Sequence, residues 1–300
     1  MQDNTAEKLR GIFAPIATPF NENEDLDIAA LQHNLHLYRK TDIRGYLVIG
    51  SNGENKSLTE AEGLAVLKVA IDGKGKGKTV IAGVMYEAQR HAEQFITRIA
   101  DLGADFALIQ SPSYFRKLMT DDTLYDCFAA LADYSPIPVL LYNSPGFNGI
   151  TLSFDLLKRL SEHPNIVGLK DSTPGCDLEV MKLNSDSFQS MAGSIRKLKD
   201  FLQLGSIGAT ASLANYCPDL AAQLYSSLLE DNTQQALDLN DKLVAMNKRI
   251  AGAYGVPGVK AAMNLLRFRA GIPRKPLRPL DADQIEEIKS VLIEAGALAE

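Results

Sequence analysis

The chain has 300 residues, a net charge of -6 and 46% hydrophobic residues, with 23% charged residues. This composition supports a large buried core and excludes a disordered chain, and interspersed charges argue against a nucleic-acid partner. The N-terminus has no apolar signal core and no segment approaches about 18 apolar residues, so we expect a cytoplasmic protein with no membrane partner. Three widely spaced cysteines, Cys127, Cys176 and Cys217, are typical of reduced thiols.

Short apolar runs alternate with amphipathic segments along the chain. The runs predict strands at 11–17, 45–50, 79–84, 105–110, 138–142, 166–170, 188–193 and 208–212. The amphipathic segments predict helices at 28–39, 59–71, 88–102, 123–134 and 154–161. Thr59 and Glu62 form a predicted capping box, and we expect Asp121 or Asp122 to cap the next helix.

Eight strands that alternate with helices predict parallel βα units, which close most naturally into a (β/α)8 TIM barrel. Helical patterns then continue at 219–229, 233–250, 258–268 and 281–298, more than one closing helix requires. We therefore predict an α/β protein of one domain over 1–300, with the barrel over 1–230 and a C-terminal helical extension over 231–300.

Polar side chains lie where the predicted strands end, which is where barrel enzymes carry their active sites. The second strand ends in a loop, Gly50-Ser51-Asn52-Gly53-Glu54, whose glycines let backbone N–H groups approach an anion. Tyr114 follows the fourth strand, Tyr142 ends the fifth and Lys170 ends the sixth. We expect Ser51, Tyr114, Tyr142 and Lys170 to project into one mouth.

Lys170 ends an apolar run that is typical of a buried strand. A charged amine is costly to bury there and has no evident structural role. Burial favours a neutral lysine, which attacks carbonyls to form Schiff bases, and a tyrosine hydroxyl can carry the protons. The alternative is a lysine that reaches the rim or pairs with Asp171. We expect Asp171 to orient the strand end and Glu54 to cap or orient its loop, instead of forming an acid/base pair.

These motifs resemble the class I aldolase superfamily that contains dihydrodipicolinate synthase and N-acetylneuraminate lyase. The resemblance covers nearly the whole chain and rests on the segments 11–20, 50–54, 142–143 and 168–172. It implies an enzyme, a carbon–carbon lyase in which a lysine forms a Schiff base with pyruvate or another 2-oxo acid, and a homo-oligomer, either a tetramer or a dimer.

The resemblance also implies roles for individual residues. Lys170 corresponds to the nucleophile and Tyr142 to the proton donor and acceptor. Ser51 would belong to a hydroxyl relay, and Tyr114 would complete that relay in a neighbouring subunit's site. Ser51 and Asn52 would hold the pyruvyl carboxylate, and Gly193 would leave space beside the imine.

Departures from the family pattern narrow the expected substrate. Dihydrodipicolinate synthases carry an arginine where this chain has Phe147, so the grip on a second carboxylate is missing. Lyases for N-acetylneuraminate carry acidic residues where this chain has Ser194-Ile195-Arg196. We expect Phe147 and Asn148 to line the pocket for the second substrate. Arg116 and Arg196 are the alternative sources of a positive charge for that substrate.

The Ser51-Asn52 loop is similar to that of 4-hydroxy-2-oxoglutarate aldolase-like proteins. The predicted function is therefore aldol cleavage or condensation with pyruvate as the donor half, acting on 4-hydroxy-2-oxoglutarate or a 2-oxo-3-deoxy sugar acid. The alternatives are a dehydratase that uses the same imine, a dihydrodipicolinate synthase, and a non-catalytic 2-oxo acid binding protein. We predict no cofactor and no metal, since His33 and His36 have no third ligand at metal spacing.

Overall fold

The computed structural model describes residues 5–174, 179–230 and 234–299. Cys176 and the first residue of the predicted helix 233–250 lie outside these ranges. None of the helices in the described ranges has the length and apolar character needed to span a membrane.

Eight parallel strands, hydrogen-bonded in chain order, form a closed barrel. They are β1 Gly11–Pro15, β2 Gly45–Val48, β3 Thr79–Val84, β4 Phe106–Gln110, β5 Val139–Asn143, β6 Ile166–Asp171, β7 Gln189–Ala192 and β8 Gly208–Thr210. Nearly every strand residue is buried, which explains why the strands appear in the sequence as continuous apolar runs. The predicted (β/α)8 fold is confirmed.

The helices alternate with the strands and continue after the last one. They are α1 Thr5–Leu9, α2 Ile28–Tyr38, α3 Glu60–Gly73, α4 Gln89–Leu102, α5 Asp121–Tyr134, α6 Pro145–Asn148, α7 Phe154–Ser161, α8 Ile195–Gln203, α9 Pro218–Glu230, α10 Gln234–Asn247, α11 Ala253–Leu265 and α12 Ala282–Glu294. A π-helical segment, Lys248–Gly252, joins α10 to α11. The two helices predicted there are therefore connected by helical backbone, with a kink at Gly255, where φ is 58°.

Two helix starts test the capping predictions. The capping box of Thr59 and Glu62 at α3 is confirmed. The prediction of Asp121 or Asp122 as the cap of α5 is wrong: Thr120 has the extended conformation of a cap and accepts a hydrogen bond from Thr123 N. Helix α8 was not predicted from the sequence, and it begins after Ser194 without a side-chain cap.

Two compact units make up the chain. The first comprises residues 1–11 and 79–210 and contains β3 to β8, and the second comprises residues 12–78 and 211–300 and contains β2 and α9 to α12. In the second unit, the buried Asn215 donates to Pro15 O (3.0 Å) and accepts from Ala17 N (3.0 Å). The division at residue 230 stays a prediction.

Candidate active site

Lys170 and Tyr142 lie side by side at the carboxyl ends of two neighbouring strands of the first unit. They are paired in register between β5 and β6, so both side chains project from the same face of the sheet. Lys170 Nζ lies 4.0 Å from the centroid of the Tyr142 ring, and both side chains are buried. The structure thus brings the predicted nucleophile and the predicted proton carrier into contact.

Lys170 differs from the other buried lysines of the described residues in having no carboxylate partner. These buried lysines are Lys170, Lys197 and Lys260, which are 6%, 2% and 1% exposed. Lys197 pairs with Asp171 and Lys260 pairs with Glu54, whereas Lys170 forms no ion pair with any residue of the described ranges. Among these three buried lysines of the described residues, Lys170 is thus the one whose amine is not held by a carboxylate, an arrangement that suits a nucleophile.

A polar cluster lies behind the Lys170–Tyr142 pair. Asp171 is fully buried and accepts hydrogen bonds from Lys197 Nζ, from Asn143 Nδ2 (3.3 Å) and from Thr173 Oγ1 (2.8 Å). Asn143 and Asp171 are themselves register partners, one residue beyond Tyr142 and Lys170, so they project from the opposite face. Asp171 therefore orients the strand end, as expected, and the alternative in which it pairs with Lys170 is wrong.

Gly193 follows β7 and lies against the end of β6. Its N–H donates to Asp171 O (2.8 Å), and a Cβ atom at this position would lie 1.9 Å from Ser172 Oγ and 2.6 Å from Asp171 O. Packing therefore requires glycine at this position, because any larger residue would push the strand ends apart. Its expected role beside an imine stays a proposal.

The segment after β5 carries the two residues predicted to line the second-substrate pocket. Phe147 is 68% exposed, whereas Asn148 is buried. Asn148 Nδ2 donates to Ser111 Oγ (2.8 Å), and its Oδ1 accepts from Ile150 N (3.2 Å). Asn148 thus ties the end of β4 to the segment after β5, while the Phe147 side chain is exposed to solvent.

Tyr114 lies on the surface of the first unit, where it is 81% exposed. Its ring packs edge-on against Phe115, with centroids 5.1 Å apart. The Glu87 carboxylate accepts hydrogen bonds from Ser113 N (2.7 Å) and Tyr114 N (2.9 Å) and thereby fixes the backbone of this loop. The position of Tyr114 is therefore defined, although its side chain is open to solvent.

In the second unit, Ser51 and Asn52 lie in the loop that follows β2. Asn52 Nδ2 donates to Ser212 Oγ (2.8 Å), and Thr18 Oγ1 donates to Gly53 O (2.7 Å). A Cβ atom at position 53 would lie 3.1 Å from Ile16 O, so the loop passes close to the backbone that follows β1. These contacts hold the predicted carboxylate-binding residues in one conformation.

Glu54 ends this loop with a buried ion pair. Its Oε1 lies 2.6 Å from Lys260 Nζ, and its Oε2 accepts a hydrogen bond from Arg274 N (2.8 Å). Burial lowers the pKa of Lys260 to about 8, although the charge of Glu54 opposes that shift in part. The expectation that Glu54 orients its loop is supported by these contacts.

Three charged residues that hold the predicted site residues or their neighbours in place were not predicted from the sequence: Lys197, Lys260 and Glu87. Each lies in or beside a helical segment, where a charged residue is ordinarily solvated. The sequence carries only weak signals for them: Lys260 lies in the predicted helix 258–268, and Lys197 follows shortly after the end of β7. Neither position reveals which carboxylate it meets.

Comparison with known proteins identifies the family. Residues 8–295 match the Dihydrodipicolinate synthetase family. The chain is 30% identical to the 4-hydroxy-tetrahydrodipicolinate synthase of Methanothrix thermoacetophila, over 96% of this chain and 98% of that protein. It is 31% identical to the L-threo-3-deoxy-hexylosonate aldolase of Hypocrea jecorina, over 95% of each chain.

Solved structures agree with these relatives. The chloride-inhibited dihydrodipicolinate synthase from Acinetobacter baumannii, complexed with pyruvate, superimposes with a TM-score of 0.87 at 29% identity. The match covers 97% of this chain and all of that one. The chain belongs to the Dihydrodipicolinate synthetase family. It is accordingly an enzyme, a carbon–carbon lyase among the pyruvate-dependent aldolases and synthases of that family.

Proposed function

We propose that the protein is a class I aldolase that cleaves 4-hydroxy-2-oxoglutarate or a 2-oxo-3-deoxy sugar acid through a Schiff base on Lys170. The observation that carries this proposal is the environment of the Lys170 amine. It is buried, has no carboxylate partner among the described residues, and has its Nζ 4.0 Å from the Tyr142 ring. Such an amine is suited to attack a ketone.

The reaction begins when Lys170 Nζ attacks the C2 carbonyl of the 2-oxo acid. Water leaves and a protonated imine remains, which acts as an electron sink. Removal of the proton of the C4 hydroxyl then breaks the C3–C4 bond: the electron pair moves toward the imine and an aldehyde departs. The resulting enamine takes a proton at C3, and hydrolysis releases pyruvate and restores the amine.

Tyr142 is proposed as the group that carries these protons, because its ring contacts the amine. Ser51 and Tyr114 are proposed as the hydroxyls that relay them onward. The 81% exposure of Tyr114 suits a residue that acts in the site of a second copy of the chain, and so a homo-oligomer. Two large apolar side chains that follow Tyr114, Phe115 and Leu118, are also exposed, which is typical of a surface that contacts another protein chain.

Binding of the substrate is assigned to two groups of residues. Ser51 and Asn52 are proposed to hold the carboxylate of the 2-oxo acid, through backbone N–H groups and side-chain polar atoms. Phe147, Asn148 and Gly193 are proposed to shape the space for the remainder of the substrate. Phe147 carries no charge, which disfavours the synthase reaction, in which an arginine at this position grips the carboxylate of aspartate semialdehyde.

The proposal is tested by borohydride reduction in the presence of pyruvate. Reduction should fix a pyruvyl group on Lys170, inactivate the enzyme, and leave Lys197 and Lys260 unmodified, because both are held in ion pairs. Lys170→Met is the control and should take up no pyruvyl group. An adduct on another lysine would contradict the assignment.

Product analysis separates the aldolase from its alternatives. An aldolase releases one pyruvate for each 2-oxo acid consumed. A dehydratase that uses the same imine would instead remove a proton from C3, expel the C4 hydroxyl group as water and release no pyruvate. A binding protein would form the adduct with no turnover.

A further inference from the structure

Two residues of the loop between β2 and α3 have strained backbone, one on each side of Ser51 and Asn52. Ile49 and Glu54 both have positive φ values, 52° and 54°. A β-branched residue in this region is an outlier, and such conformations persist only where the surroundings impose them. The segment between these two residues contains Ser51 and Asn52, so its shape depends on how the two ends are held.

The end at Glu54 is held by a pair of buried charges. Glu54 Oε1 lies 2.6 Å from Lys260 Nζ, and both side chains are 1% exposed. The other carboxylate oxygen accepts a hydrogen bond from Arg274 N (2.8 Å), and Glu54 O accepts one from Ser57 N (2.8 Å). Glu54 is therefore held through its side chain and its backbone together.

Lys260 is itself held in place on helix α11. Its Nζ donates to Ile272 O (2.7 Å) and lies 4.5 Å from the centroid of the Phe20 ring. The backbone beside Ile272 is fixed in turn, because Ile272 N donates to Phe20 O (3.1 Å). Gly271 has a φ of 62°, and a Cβ atom there would lie 1.9 Å from Phe20 O, so no larger residue fits.

A buried ion pair adds little net stability to a fold, because the loss of hydration offsets most of the attraction between the charges. Such a pair does impose one geometry, because each buried charge is stabilised only when its partner lies beside it. Here that geometry is imposed on a strained loop that is also held by the neutral hydrogen bonds of Thr18 and Asn52 and, at Ser57 O, by the Arg274 side chain (2.7 Å).

We infer that Lys260 is a positioning residue for substrate binding: it holds Glu54 and thereby sets the conformation of the loop that carries Ser51 and Asn52. The C-terminal helices would then determine how tightly the enzyme binds the carboxylate of its 2-oxo acid. This inference rests on the proposed function, in which Ser51 and Asn52 bind that carboxylate.

The test measures borohydride trapping at Lys170 as a function of pyruvate concentration. In Lys260→Met, the half-saturating pyruvate concentration should rise about tenfold, the usual effect of losing one well-placed hydrogen bond. The maximal yield of adduct should stay within about twofold of wild type, because the chemistry of Lys170 is untouched. A purely structural role would lower the yield of folded, reactive protein without changing the half-saturating concentration.

Two further variants complete the experiment. Glu54→Gln/Lys260→Met leaves no unpaired buried charge, and its half-saturating concentration should also be raised; it decides the question if Lys260→Met does not fold. Arg249→Met, which removes the exposed pair with Glu294 in the same C-terminal helices, should bind pyruvate as wild type does.

The outcomes distinguish this inference from the proposed function. Trapping at Lys170 with an unchanged half-saturating concentration in the Lys260 variants would overturn the inference alone. Absence of any adduct on wild-type Lys170 would overturn the proposed function, and this inference with it.

Discussion

Lys170 and Tyr142 are register partners on β5 and β6, and this pairing places Lys170 Nζ 4.0 Å from the centre of the Tyr142 ring. One residue further along each strand, Asn143 and Asp171 are also partners, and they lie on the opposite face with Lys197. The two strand ends thus carry the Lys170–Tyr142 pair on one face and a buried polar cluster on the other. The hydrogen bond from Asn143 to Asp171 (3.3 Å) joins the two strands directly beside that pair.

Removal of the Tyr142 hydroxyl should separate catalysis from folding. Tyr142→Phe keeps the ring against Lys170, and we expect turnover to fall roughly 10²–10⁴-fold, the usual contribution of a general acid–base group. Steady-state cleavage assays measure the effect. Tyr46→Phe is the matched control, since it removes another largely buried hydroxyl, which donates to Lys74 O (3.1 Å), and it should keep turnover within about twofold. A near-normal rate in Tyr142→Phe would assign the protons to another group.

The buried pair of Asp171 and Lys197 should dominate local stability. Lys197→Met leaves the Asp171 carboxylate buried without its cation, and we expect a loss of about 3–5 kcal/mol in the free energy of unfolding. Urea denaturation gives the value. Arg249→Met, at an exposed pair, should cost at most about 1 kcal/mol. Asp171→Asn/Lys197→Met should recover part of the loss, and a loss as large as that of Lys197→Met would argue against an effect of unpaired charge.

Lys260 should make the stability depend on pH in the alkaline range. Burial lowers its pKa from 10.5 to about 8, with Glu54 and Arg274 as the charged groups that face it. Between these pH values the unfolded chain holds a proton that the folded chain has released. The contribution of Lys260 to the free energy of unfolding therefore rises with pH through this window, and is lost as the pH falls through about 8.

Denaturation of wild type and of Glu54→Gln/Lys260→Met at several pH values measures this contribution. The difference between them should change in favour of wild type from pH 8 upward, by at most about 1.4 kcal/mol per pH unit. Other titrating groups are common to both proteins and cancel. A difference that stays constant from pH 8 to pH 10 would contradict the lowered pKa.

Phe147 should lower the rate at which this enzyme carries out the synthase reaction, the condensation of pyruvate with aspartate semialdehyde. Wild type should condense pyruvate with aspartate semialdehyde poorly, and Phe147→Arg should raise that rate about 10–100-fold, because one charged hydrogen bond contributes about 1.5–3 kcal/mol. The exposure of Phe147 leaves room for the longer side chain. Phe147→Gln is the uncharged control. Efficient condensation by wild type would mean that Arg116 or Arg196 supplies the charge.

The sequence by itself determined the barrel, because strands buried on both faces and helices buried on one face leave local patterns that need no partner to be recognised. It also identified Lys170 as the candidate nucleophile, because a lysine at the end of an apolar strand is unusual wherever that strand lies in the barrel. The box of Thr59 and Glu62 was predictable for the same reason: both partners lie within one turn of helix.

Only the tertiary structure decided which charges meet. Asp171 was expected to orient its strand end, but its partner Lys197 could not be named, nor could Lys260, which pairs with Glu54 from a distant helix. The choice of Thr120 over Asp121 as a cap is of the same kind, because it depends on backbone angles that several residue types accept. Ion pairs and caps are short-range interactions, so they are settled by where the packed elements place each side chain, and no periodicity in the sequence records that placement.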